Sequence, residues 1–188
     1  MAGHGHGGHE GGDKRIALLI SILALFLAVA ETGAKSAQTE ALSRNVEASN
    51  LWAFFQAKTI RQTTVSAMAD LAELERSVAR DEATREAIQR QQATWRGNAA
   101  RWESEPATGE GRRELAARAQ SAESRREKSM SAYHLFESSS AAFQVAIVLS
   151  SASIVTGVAA LALGGAGLGA VGLVLGLVAV VAPTALHL

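Results

Sequence analysis

The sequence predicts an all-α integral membrane protein, with three transmembrane helices and a long antiparallel, coiled-coil-like helical arm outside the bilayer. Three observations predict it. Apolar residues make up 48% of the 188-residue chain and pile up at its two ends. The region between them is rich in Ala, Glu, Gln and Arg, all good helix formers. Only two prolines, Pro106 and Pro183, interrupt the chain, so long stretches are free to be helical.

Residues 1–15 open with glycine, histidine and acid, a composition that cannot bury a core and reads as a disordered tail. Ile16 to Ala30 is an unbroken apolar run with Ser21 as its only hydroxyl. A bilayer core needs about 20 residues. Thr32 to Ala34 and the stem of Lys35 extend the run, giving a first transmembrane helix over 16–34. Glu31 is then placed to meet Lys35 at i+4. Lys14-Arg15, the apolar run and Ala28-Val29-Ala30 also fit a cleavable signal peptide, but a retained anchor is the expectation.

Residues 35–140 form the arm. A first stripe runs Val46, Ala53, Ala57, Ile60, Thr64, Ala67, Leu71, Leu74, Val78 and is expected to be the packed seam. A second runs Ile88, Trp95, Trp102 at seven-residue spacing. A third runs from Leu115, Ala119 and Ala122 through Tyr133 and Phe136 to Phe143. "ESEPATGEG", residues 103–111, is the strong loop signal, and Asp81 can cap a new helix after Arg80. Length selects the tip. At about 1.5 Å per residue, Lys35 to Arg80 rises roughly 68 Å, and the return through helices of about 33 Å and 44 Å nearly matches it. The tip is therefore placed near residue 80, with 103–111 as an interruption in the descending arm.

From Ala141 the chain is apolar again. Residues 141–163 read as a second span, "GGAG" as a turn, 166–182 as a third span ended by Pro183, and 183–188 as a tail. Lys14 and Arg15 favour a cytoplasmic N-terminus and hence a periplasmic arm. Glu10, Asp13 and the basic residues Arg125, Arg126 and Lys128 weaken that preference.

Lys plus Arg and Asp plus Glu each number 18, so the chain has no basic excess for nucleic acid. It has no cysteine, which excludes disulfides and thiolate chemistry. "GLGAVG", Gly167 to Gly172, matches the spacing of a dinucleotide fingerprint, but it lies in an apolar run with no strand before it. Gly165-x-x-x-Gly169 and Gly172-x-x-x-Gly176 fit close helix contacts in lipid better. Ser150, Ser151, Ser153 and Thr156 are expected to bond back to carbonyls of their own helix rather than line a path. No catalytic grouping is recognisable, no cofactor is expected, and the expected class is non-enzymatic.

Two features invite binding. Removal of Met1 would leave Ala2-Gly3-His4, whose amine, two amides and imidazole could offer Cu(II) or Ni(II) a square-planar set, with His6 and His9 nearby. The other is "NLWAFFQAKTIRQTT", Asn50 to Thr64. It holds three of the chain's nine aromatic residues. On a helix Trp52, Phe55 and Thr59 share one face, and Phe54, Lys58 and Arg61 another. One seam cannot bury all three rings. Small residues in 116–126 are expected to receive one, with Arg125 or Arg126 stacking on Trp52, and the remaining ring points to a neighbouring subunit or partner protein.

"DKRIALLISILALFLAVAE", "EASNLWAFFQAKTIRQ", "WESEPATGEGRREL" and "YHLFESSSAAFQVAIVLSSASIVTG" resemble the bacterial membrane family catalogued as domain of unknown function 4337, over nearly the whole chain. The resemblance implies a bacterial inner-membrane protein and brings no activity with it. The expectation is a non-enzymatic scaffold that self-associates or docks on a larger membrane complex. The alternative is an oligomeric ion channel or metal-handling protein that uses the histidine tail.

Overall fold

The computed structural model describes residues 10–185. They form four α-helices, with no strand among the described residues: α1 (Glu10–Val78), α2 (Glu82–Glu103), α3 (Arg112–Thr156) and α4 (Ala159–Val181). The chain divides into two compact units. One combines residues up to Leu42 with Arg126–Leu188; the other is Ser43–Arg125.

In the unit Ser43–Arg125, α1 ends at Val78 and Ala79-Arg80-Asp81 leads into α2. Asp81 caps α2 from an extended conformation, its carboxylate accepting the Thr84 amide at 2.8 Å. The loop between α2 and α3 turns on Gly109, whose φ of +68° an L side chain rarely adopts. The core joins Ala48 and Leu51 of α1 to Leu115, Ala119 and Ala122 of α3, and Trp52 and Phe55 pack against it.

The face of α1 that packs is not the stripe expected from the sequence. Two rows at seven-residue spacing turn inward: Ala48, Phe55, Gln62, Ala69, Arg76 and Leu51, Lys58, Val65, Ala72. The expected stripe lies on solvent, with exposure from 57% at Leu71 to 77% at Val78. The physical reason is that the inward rows offer alanines, which allow close approach, and polar groups with partners on α2. Gln62 Nε2 donates to Ala99 O at 3.3 Å, and buried Gln92 donates to Ala69 O at 2.9 Å and Glu73 Oε2 at 2.8 Å. Ile88, Trp95 and Trp102 of α2 are half-buried.

In the other unit, three helices are long and apolar enough to cross a membrane: the N-terminal part of α1, α3 and α4. The interior is made of Leu23, Ala30, Phe143 and Ala146, with Phe26 stacked on Phe143 at 5.9 Å. Large apolar side chains such as Leu25, Val148, Leu163 and Leu177 point outward, while glycines and serines face in. That arrangement suits lipid, where burial of apolar groups drives nothing and close packing by small residues does.

The turn between α3 and α4 falls at Gly157-Val158, not at "GGAG", and residues 164–167 are helical within α4. Gly157 adopts φ +73°. Its amide bonds to Ser153 O at 2.9 Å, and the Ser153 hydroxyl donates to Val158 O at 2.9 Å. "GGAG" has no hydroxyl to satisfy an opened backbone, a requirement that apolar surroundings make strict. "GLGAVG" is likewise mid-helix, where it cannot form a phosphate-cradling turn.

Candidate functional site

The aromatic stretch is split by the helix into two faces with different fates. Trp52 and Phe55 turn toward the core and meet edge to face, with centroids 5.4 Å apart. The Trp52 indole donates to Glu123 Oε1 at 2.8 Å. The arginine that stacks here is not Arg125 or Arg126 on Trp52; it is Arg112, 5.0 Å above the Phe55 ring. Arg112 starts α3 directly after the loop, so the loop geometry delivers it to the ring. Its Nη1 also donates to Gln62 Oε1 and to Glu103 Oε2, the latter at 2.9 Å.

Phe54 is the ring left over, 52% exposed. With Ala57, Lys58 and Arg61 it lines a shallow cavity of about 60 Å³. Lys58 itself is buried, its ammonium 3.8 Å from Glu110 Oε2. Phe54, Lys58 and Arg61 are thus brought together, and Trp52 is turned away from them.

The neighbouring carboxylates are spent on structure. Glu103 takes Arg113 Nε at 3.0 Å and Gln62 Nε2 at 3.2 Å, and these bonds hold its carboxyl below the usual carboxylate range. Glu114 is held down by the Ser104 hydroxyl at 2.7 Å and the Glu105 amide at 3.1 Å. A carboxyl depressed in the folded state stabilises fully above its unfolded value, near 4.3, and less as pH falls through the folded value. Thermal melts followed by circular dichroism are therefore expected to shift to lower temperature between about pH 4 and pH 2, with little change from pH 7 to pH 5. A midpoint independent of pH down to about 2 would contradict this account of the loop.

The four glycines singled out in the sequence share one face of α4. A side chain added at Gly165 would meet Ser150 Oγ and, at 2.8 Å, the Ala146 carbonyl. At Gly169 it would meet Leu23, at Gly172 the Phe143 ring at 3.1 Å, and at Gly176 Ser139 Oγ at 3.2 Å. The Ser139 hydroxyl donates to Gly172 O at 2.7 Å, a bond from α3 to α4. Thr156 bonds back to Ala152 O at 2.7 Å within its own helix. The four glycines therefore sit where backbone approaches other helices.

His4, His6 and His9 lie outside the described residues. Among the described residues, no group of three or more His, Cys, Asp or Glu side chains is placed to hold a metal ion. The carboxylate of Glu103 and the guanidinium groups of Arg112 and Arg113 form a clamp between α2 and α3. What sequence reasoning missed is that the apolar stripe of α1 that continues past Phe54 is exposed rather than packed. The signal for it was present: a seven-residue period runs both in the inward rows and in the outward stripe of one helix.

Residues 12–182 match the family described as "Domain of unknown function (DUF4337)". Neither a curated protein nor a solved structure matches the chain at a significant level.

Proposed function

The chain belongs to this family of unknown function, and from that premise we propose that it is a non-enzymatic membrane scaffold that self-associates through α1. The observation that carries the proposal is the free seam. Val46, Ala53, Ala57, Ile60, Thr64, Ala67, Leu71, Leu74 and Val78 keep a seven-residue repeat along a helix whose opposite face is already packed. A heptad stripe is the surface that another helix of the same period fits. A second copy supplies that helix, because two copies in one bilayer run α1 in the same direction and in register. Phe54 borders this seam and supplies the ring that the chain's own core leaves uncovered.

The proposed location is the inner membrane of a bacterium, with the polar region in the periplasm, supported by Lys14 and Arg15 before the first apolar run. The partners are the bilayer and further copies of the chain. Purification in mild detergent followed by light scattering tests the reading. A defined oligomer is the expected result; a monomer at micromolar concentration that captures no other protein would count against it.

A further inference from the structure

We propose that Asn50 limits the self-association through α1, on which this inference rests, to two copies that run parallel and in register. The stripe on α1 alternates steps of four and three residues from Ala53 to Val78, but takes a single step of seven between Val46 and Ala53. The place it skips is Asn50, which is exposed, as are Val46 and Ala53 on either side. The seam that a second copy covers therefore holds one carboxamide in a row that carries no charge from Val46 to Val78.

An amide covered by such a seam is costly unless it is paired. A second Asn50 at the same level pairs it, because a carboxamide both donates and accepts, so each Nδ2 can donate to the other's Oδ1. Slipping one copy by a heptad sets one amide against Ala57, where it finds no partner. A lone Asn at position a of a heptad is a known means of fixing register and strand number at some cost in stability. The apolar residues alone do not fix the number: Leu74 and Val78 suit two strands, whereas Ile60 and Leu71 suit more. The flanking row Ser49, Gln56, Thr63, Asp70 and Ser77 is polar and exposed throughout, so the seam is narrow and a third copy would bury polar groups. In the parallel pair Asp70 of one copy faces Glu75 of the other, five positions on, and the axis repeats this contact.

The test uses the full chain in mild detergent, with mass read by light scattering. The wild-type chain is expected as a single species of two copies. Asn50→Leu should associate at least as tightly, but as a mixture that includes assemblies larger than two. Asp70→Lys turns two repulsive contacts into attractive ones, so its dissociation constant should fall about tenfold. The chain has no cysteine, so an introduced thiol reports register cleanly. Ala57→Cys, on the stripe, should give a covalent pair under mild oxidation, and Gln56→Cys beside it should not. All four positions are exposed, so folding is spared. A wild-type assembly larger than two, or N50L that stays a single pair, would overturn the role of Asn50 and leave self-association standing. Equal cross-linking of A57C and Q56C, or no tightening by D70K, would overturn the parallel register alone. A wild-type monomer at micromolar concentration removes the self-association and this inference together.

Discussion

Replacing Ile60, Leu71 and Leu74 together by lysine is expected to leave the helices intact and the chain monomeric in mild detergent. Each side chain is more than half exposed in the single chain, so the fold loses little. Lysine is also a better helix former than isoleucine and as good as leucine. Surface changes of this kind stay within about 0.5 kcal/mol of neutral. In an assembled pair the same positions face their counterparts. Burial of a Leu or Ile side chain contributes about 1.5–3 kcal/mol, and three are lost from each copy. At about 1.4 kcal/mol per factor of ten, association weakens at least a thousandfold. Light scattering reads the mass and circular dichroism the helix content. An unchanged oligomer would remove the seam from consideration, and a collapse in helicity would show that the stripe belongs to the fold. Trp52 and Phe55 are not the residues to substitute for this purpose, because they pack on the chain's own core.

Gly165→Leu should be the most damaging substitution in the unit that holds the three candidate spans, and Gly167→Leu should be nearly silent. The two glycines are two positions apart on α4 and look alike in sequence. A Cβ at Gly165 meets the Ala146 carbonyl at 2.8 Å, and backbone cannot swing aside as a flexible side chain can. A Cβ at Gly167 meets nothing within 4 Å. Overpacking a tight contact costs about 1–3 kcal/mol and more where backbone must move. Thermal melting in detergent should therefore separate G165L from wild type by several degrees, with G167L beside wild type. Equal melting of the two variants would mean that α3 and α4 do not meet at Gly165.

The helices were legible because their signals are local. Asp81 caps α2 through its own carboxylate, and "ESEPATGEG" breaks the chain where α2 ends and α3 begins. The apolar runs gave the three candidate spans for the same reason. The choice between two seams on α1 was not local. It depends on what α2 and α3 present, and the decisive groups are polar: Gln62, Gln92 and Lys58 find partners inward. Counting apolar residues points to the other face, which holds more Val, Ile and Leu. The turn at Gly157 was hidden for a related reason. A glycine cluster reads as flexible, yet the chain turns where Ser153 can cover a freed carbonyl. Phe55 and Arg112 lie on different helices and meet only because the loop is short.

Under the self-association proposed above, the free stripe on α1 also has a genetic meaning. A helix with one vacant heptad face joins others around a common axis and then has no face left, so the set closes rather than growing into a filament. Each copy meets its own sequence across that axis. A subunit damaged elsewhere, at Gly165 for example, still carries an intact stripe and enters assemblies with healthy copies, so its defect is dominant in a cell expressing both. A subunit with lysines on the stripe is excluded from those assemblies, and its defect is recessive.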